Sequence, residues 1–550
     1  MYMPATSPNP PLHPVRSSML PRPPFARFRR VLLALCCLGG AASAQSAPPA
    51  RTFDVLLRHG RVLDGSGNPW MRADIGIRGD RIVAIGDLHD ATATTIIAAD
   101  SLYVAPGFID THSHAGESLE RPALSGARQL LAQGLTTVFV NPDGGGRVDL
   151  DAQRAALQKN ALGLNVALMV GHGAVRQAVL GMDDRAPTPE ERKRMQALVQ
   201  RGMDAGAFAL SSGPFYAPGS YSKTDELVDL ARVAARYGAP YQSHIRDESD
   251  YTIGLLAAVE EVITVAREAH TRGVVTHVKA LGPSVWGFSA ALVQRIDRAR
   301  AQGVEVFADQ YPYDASQTSL SAALVPRWAQ AGGGAAFKAR IADAAQRPRI
   351  VGEMRDNLAR RGGAQRIQIG RYGPDSTIEG RTLAQIAAAR GLDPVETALA
   401  LLARGEAAIV SFNMVDEDIE RLMRQPWTMT ASDGALAAFG AGVPHPRGNG
   451  AFARKLHRYV VEDGVVDLAA AVRSMTSLPA TVYNLTDRGV LRPGAFADVV
   501  VFDLATVRDR ATYENPHQMA EGMVHVLVNG RFAVRDGKFT TDPGGRVLRR

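Results

Sequence analysis

The chain has 550 residues, 46% of them apolar, which places it among globular proteins and is enough to bury a main domain plus an accessory one. Its formal charge of +7 is uneven: Arg16, Arg22, Arg27, Arg29 and Arg30 stand in a segment, 1–44, without an acidic residue, and leave about +2 for the remainder. That balance removes the main support for a nucleic-acid partner.

In chain order, Arg29-Arg30, the apolar stretch 31–38 and Ala42-Ser43-Ala44 read as an export signal with a small-residue cleavage site, so that the mature chain begins near Gln45. The Pro- and Arg-rich sequence before Arg29 is unlike a compact leader, which favours Met19 as the start. Lipidation at Cys36 or Cys37 is the weaker alternative, because the small-residue site follows both cysteines. Those are the two cysteines of the chain, so the mature protein has neither disulfides nor thiolate metal ligands. The apolar stretch is too short to span a bilayer and no later segment reaches that length. A secreted, periplasmic and soluble product is expected.

From residue 51 short alternating strands follow at 53–57, 73–77 and 81–85, separated by Asp-Gly, Gly-Asn-Pro and Gly-Asp turns. A matching set stands near the other end, at 497–502, 524–528 and 531–534, with Asn529-Gly530 as a hairpin-type turn. Neither set can close its own core, so 51–104 and 485–550 are expected to pair into one small β-sandwich.

Between them lie eight strand-like runs, at 102–110, 136–141, 166–172, 207–212, 240–244, 274–279, 304–310 and 428–432. Helical apolar spacing fills 190–203, 224–237, 253–272 and 289–302. The alternation predicts an α/β fold, a (β/α)8 TIM-like barrel over 105–484, with chemistry at the C-terminal ends of the strands. More than a hundred residues separate the last two runs, so an inserted subdomain is expected at about 324–420.

The polar residues at the strand ends carry the chemistry. His112 and His114 follow the first run; one residue apart on a strand, their imidazoles point the same way and can share a metal. His244, His277 and the Ser432-Asp433-Gly434 turn stand at later ends. Such a donor set suits a hydrolase that activates water with a divalent ion. Other roles are open for single residues: Asp143 before three glycines and Asp433 before one suit turns, and Tyr311 suits packing in a strand-to-loop turn.

The motifs Gly107-Phe-Ile-Asp-Thr-His-Ser-His114 and Gly494-Ala-Phe-Ala-Asp498, with the flanking β-layers, resemble the amidohydrolase superfamily. Within it, Ser211-Ser-Gly213, His244-Ile-Arg-Asp-Glu248, His277-Val-Lys279, Tyr311-Pro-Tyr313, Ser432-Asp-Gly434 and His445-Pro-Arg447 resemble the N-acyl-D-amino-acid deacylases. The resemblance implies one or two zinc ions per chain. The tightly held one is bound by His244, His277 and, in the family, a cysteine; that position falls here on Asp143, with Asn141 beside the same turn. A carboxylate is a competent zinc ligand, harder than a thiolate. His112 and His114, with Asp433, match the second metal position, and Asp433 matches the carboxylate that moves the proton.

Lys279, Tyr311 and Arg447 match positions that contact the substrate. Lys279 stands two residues past His277, on the same face of its strand. Arg246 is a further candidate; His172 reads as a core or supporting histidine, and His445 has no assigned role. The implied activity is zinc-dependent hydrolysis of N-acyl-D-amino acids to a carboxylate and a free D-amino acid. The partner is thus a small N-acyl amino acid or peptide, with the oligomeric state open. Three alternatives stand beside it. One is a dipeptidase for dipeptides ending in a D-residue. The second is a cyclic-amide hydrolase of the hydantoinase or dihydroorotase type, although its carboxylated lysine is missing from Leu210-Ser-Ser-Gly213. The third is a metal-free binding protein on the same scaffold.

Overall fold

The computed structural model describes residues 52–550, so the export-signal reading of 1–44 lies outside the described residues. The first strands are β1 (Thr52–Val62), β2 (Met71–Arg78), β3 (Arg81–Gly86), β4 (Thr92–Ala98) and β5 (Tyr103–Pro106). In β1, Val55 and Leu57 enter one apolar cluster and Leu56, on the opposite face, enters another that Phe53 also joins, so the strand is covered on both faces.

The run at 102–110 is two strands, not one. Tyr103–Pro106 joins the terminal sheet, and β6 (Phe108–Asp110) opens the barrel. The break falls at Gly107, whose N–H bonds the Asp498 carbonyl (2.8 Å) and where a Cβ would stand 2.1 Å from the Thr136 hydroxyl. Apolar continuity concealed this crossing, since both strands are fully packed.

Parallel pairing continues through β7 (Leu135–Val140), β8 (Asn165–Leu168) and β9 (Val170–Gly171), the last two being one strand interrupted at Met169. Then follow β10 (Leu210–Ser212), β11 (Tyr241–Ser243), β12 (Gly273–Val275) and β13 (Val306–Gln310), each buried along its length. Helices such as Pro189–Asp204, started by a Thr188/Glu191 capping box, and Leu255–Ala269 cover the outside. Covering both faces explains the continuous apolar strands.

An insertion follows, with its own sheet of β14 (Ala315–Ser319), β15 (Ile367–Arg371) and β16 (Ala408–Phe412) in the order β14-β16-β15 and its own apolar core. It starts at Ala315, ahead of 324, because Ser316-Gln-Thr-Ser319 carries no apolar alternation to announce a strand. The barrel resumes with β17 (Thr428–Thr430), which pairs with β13. The ring closes onto β6 through Asp433 N–H to His112 O and His114 N–H to Gly434 O, both 2.9 Å. Asp110 staples that seam from inside, accepting from Ser432 N–H (3.0 Å) and the Ser432 hydroxyl (2.5 Å). The fold is thus a (β/α)8 barrel with eight parallel strand positions.

The chain ends with β18 (Val499–Phe502), β19 (Met523–Val528), β20 (Arg531–Arg535) and β21 (Lys538–Phe539). β18 pairs antiparallel with β5, so strands from both ends complete one nine-stranded sheet. The sheet curls until Ile82 N–H meets Ala495 O at 2.9 Å, enclosing Ile75, Ile77, Val104, Val499, Val501 and Leu527. Among the described residues no helix is long and apolar enough to cross a membrane.

One buried cation makes stability depend on pH. Lys455, 3% exposed, donates to the hydroxyls of Thr430 and Ser474 (2.8 Å each), and burial lowers its pKa to about 7 from 10.5. Between those values the unfolded chain holds a proton that the folded chain has released, so this group makes stability rise with pH from about 7 to 10.5 and penalises folding fully below 7. Lys455→Met should therefore gain on wild type at pH 7 and lose that advantage by about 1.4 kcal/mol per pH unit towards pH 10. Urea unfolding of both proteins across that range checks it.

Candidate functional site

Six side chains from five strand ends meet at the C-terminal mouth of the barrel. Donor atoms of His112, His114, Asp143 and Asp433 lie within 4.8 Å of one another, as do those of Asp143, His244 and His277. Asp143 belongs to both groups: Oδ1 is 3.2 Å from His112 Nε2 and 3.5 Å from His277 Nε2, and Oδ2 is 3.4 Å from His114 Nε2. Asp433 Oδ1 faces His114 Nε2 at 3.1 Å and His112 Nε2 at 3.5 Å, while His244 Nδ1 and His277 Nε2 approach to 2.8 Å.

The backbone is strained to make these approaches. Asp143, His277 and Asp433 all have positive φ (54°, 34° and 48°), a region that L-residues occupy at a cost and that clusters at functional sites. His277 is held there by its N–H on Asp309 Oδ1 (2.6 Å). Asp143 is wedged by Gly213, where a Cβ would stand 2.4 Å from the Asp143 carbonyl oxygen. Asn141, the other residue of that turn, has its amide committed to Gln153 (2.8 Å) and Met169 O (3.1 Å), so the carboxylate at 143 is the one that faces the histidines.

The electrostatics suit a cation. Burial pushes Asp143 and Asp433 up, yet His112 beside the first and Arg447 beside the second outweigh it, and both carboxyls are held well below the usual range. Burial lowers His244 to about 3, which keeps its ring neutral with a lone pair available. Burial and Lys279 pull His277 down too, but Asp433 and Glu248 raise it to about 9, so a bound cation would displace that proton. Both ring nitrogens of His112, Asp143 Oδ1 and His244 Nε2 are buried without a hydrogen-bond partner among the described residues. Buried polar atoms of this kind call for a partner, and one or two metal ions fit the donor set of imidazoles and carboxylates.

Around the donors lies a cavity of about 670 Å³ that Lys279, Tyr311 and Arg447 also line. Tyr311 stands between the two cations: its ring centre is 5.5 Å from Lys279 Nζ and 4.7 Å from the Arg447 guanidinium, and its hydroxyl has no partner among the described residues. Arg447 donates to Asp433 Oδ2 at 2.6 Å, and its N–H is received by His445, whose Nε2 reaches Ala315 O and so ties this loop to the insertion.

Lys279 has two further partners, Glu248 Oε1 at 2.5 Å and His277 Nδ1 at 2.7 Å, and Glu248 also faces His277 Nδ1 at 3.0 Å. Sequence reasoning did not give Glu248 a role; its position four residues after His244 in the same motif was the available signal. The carboxylate orients the imidazole from behind, as supporting groups of metal-bound histidines do. Arg246 is not in the cavity, because its guanidinium is taken by Glu261 (2.8 Å) and Ser220 O. His172 is a core histidine bonded to Glu226 (2.8 Å).

Comparison with known proteins gives the family. Residues 95–534 match the sequence profile of the Amidohydrolase family. The chain is 38% identical to N-acyl-D-glutamate deacylase of Alcaligenes xylosoxydans xylosoxydans, over 90% of this chain and 97% of the relative. It is 34% identical to D-aminoacylase of the same organism, over 92% and 99%. In three dimensions it is similar to the crystal structure of N-acyl-D-glutamate deacylase from Bordetella bronchiseptica complexed with zinc and a phosphonate mimic of the tetrahedral intermediate. There the TM-score is 0.78 at 37% identity, covering 91% of this chain and all of that one. The chain belongs to the amidohydrolase family, in its N-acyl-D-amino-acid deacylase branch.

Proposed function

We propose that the protein hydrolyses the amide bond of N-acyl-D-amino acids to a carboxylate and a free D-amino acid, using one or two zinc ions. His244, His277 and Asp143 would hold one ion, and His112, His114 and Asp433, with Asp143 between the groups, a second. When bound, zinc supplies Lewis acidity to the scissile carbonyl and to the attacking water. Asp433, ionised and fixed through Oδ2 by Arg447, accepts the proton of that water and delivers it to the departing nitrogen. Lys279 and Arg447 provide positive charge for the substrate α-carboxylate, and the unpartnered Tyr311 hydroxyl between them donates a hydrogen bond.

The observation that carries this reading is the convergence of six donors beside those three substrate-facing groups in one cavity. A cyclic-amide hydrolase is not favoured: the fourth strand ends in Ser211 and Ser212, and Asp143 takes the place between the donor groups. Purified enzyme should turn over N-acetyl-D-amino acids and leave the L-enantiomers untouched; equal turnover of both, or of neither, contradicts the proposal. Export to the periplasm through 1–44 is part of the same reading. The protein recovered from periplasmic extracts should then start near Gln45, and full-length protein retained in the cytoplasm would contradict it.

A further inference from the structure

The insertion gives the cavity a wall that is the edge of a sheet. Ser316, Gln317, Thr318 and Ser319, consecutive residues of β14, line the same cavity as His244, His277 and Asp433. β14 stands at the end of its sheet and is paired with β16 alone. In an antiparallel pair, alternate residues turn their N–H and C=O to the partner, and the residues between turn theirs away. Ser316 opposes Ser411, Thr318 opposes Ile409, and Leu320 N–H is bonded to Ala407 O at 2.8 Å, so this set of residues faces β16. Ala315, Gln317 and Ser319 face outward, and the first shows it: the Ala315 carbonyl accepts from His445 Nε2 at 2.9 Å, in the loop that carries Arg447. The next outward groups are the N–H and C=O of Gln317, which have no hydrogen-bond partner among the described residues.

This free edge is close to the chemistry. Thr318 Oγ1 is 3.5 Å from the Tyr216 hydroxyl, and the Tyr216 ring centre is 4.6 Å from that of His244, so one aromatic side chain separates β14 from His244. An extended chain advances about 3.3 Å per residue, and a short segment covers that separation. The cavity of about 670 Å³ is also far larger than an N-acetyl amino acid, and lies in the upper part of the range of small-ligand sites. An unpaired strand edge beside such a space is completed by the main chain of another extended peptide.

We propose that the acyl group of the preferred substrate is itself a peptide, which pairs with the free edge of β14 at Gln317. The enzyme is then a carboxypeptidase for tripeptides and longer chains that end in a D-amino acid. This rests on the deacylase reading above and names its acyl class. The oxygen of water bonds to the carbonyl carbon of the last peptide bond, the C–N bond breaks, and one proton of the water passes to the departing nitrogen.

The test compares kcat/KM for N-acetyl-L-alanyl-L-alanyl-D-alanine and N-acetyl-D-alanine on wild type, Gln317→Pro and Gln317→Ala. Wild type is expected to favour the tripeptide by roughly 10- to 100-fold, two main-chain hydrogen bonds' worth. Proline is tolerated on an edge strand where the N–H it lacks points away from the ladder, so Gln317→Pro should keep the pairing with β16 and erase the ratio. Gln317→Ala, which keeps the main chain, should retain it; a role for the glutamine side chain would erase the ratio in both variants. A second measurement needs no variant. Because strand pairing engages alternate residues, N-methylation of one of the two L-alanyl nitrogens should abolish the preference, and methylation of the other should not. No preference in wild type, a preference that survives in Gln317→Pro, its loss in Gln317→Ala, or an equal effect of the two methylations overturns the pairing while the deacylase reading stands. Hydrolysis of neither compound removes the deacylase reading, and the pairing with it.

Discussion

Asp433→Asn is expected to lower kcat by about 10³-fold or more, with zinc still held by His244, His277 and Asp143. The substitution keeps size and shape but removes the group that can take a proton from water and return it to nitrogen. The surroundings of Asp433 are built for that task. Its N–H is bonded to His112 O across the barrel seam, its φ of 48° turns the side chain into the mouth, and Arg447 grips Oδ2 so that Oδ1 faces the histidines. Arg447 also keeps the carboxyl ionised against burial, so the base form is present at neutral pH. Steady-state rates with an N-acetyl-D-amino acid, beside zinc content on the same samples, check the prediction. An Asp433→Asn enzyme that keeps more than about a tenth of wild-type kcat would remove Asp433 from the proton path.

Much of this site is readable in the chain because the barrel brings every strand's C-terminal end to one opening. His112, His114, His277 and Lys279 lie just past the ends of β6 and β12, with His277 at a positive φ, so the opening and not a strand period of two gathers them. The composite terminal sheet was legible too, as neither end has enough strands to close a core, and β5 does pair with β18. Other features depend on which distant side chains meet, and local pattern does not carry that. The grip of Arg447 on Asp433 joins the two ends of the one long connection between β17 and the helix Arg447–Arg454. The bonds of Lys279 to Glu248, and of Arg246 to Glu261, divide two similar-looking cations between the cavity and the outer structure. The division of 102–110 at Gly107 was hidden because burial on both sides leaves no polar punctuation. The early start of the insertion was hidden for the opposite reason: β14 is a polar strand held by pairing with β16.

Asp143→Ala is the second large effect, because this one carboxylate faces both donor groups. Each histidine group then lacks a donor, and the ligand atoms that remain are imidazoles plus Asp433. Asp143→Ala should hold less than about a tenth of the wild-type zinc after dialysis against a chelator, and its activity should fall with the metal. Asp143→Cys, which installs the thiolate that the family resemblance implies at this position, should keep zinc, since a thiolate is a good ligand for it. The contrast separates loss of a ligand from loss of folding, because both variants remove the same side chain from the same turn.

The most direct measurement is the zinc content of wild type and Asp143→Ala purified side by side, with circular dichroism confirming that both are folded. Convergence of the donors on an ion predicts stoichiometric zinc in wild type and its loss in the variant. Equal zinc, held equally tightly by both, would contradict it.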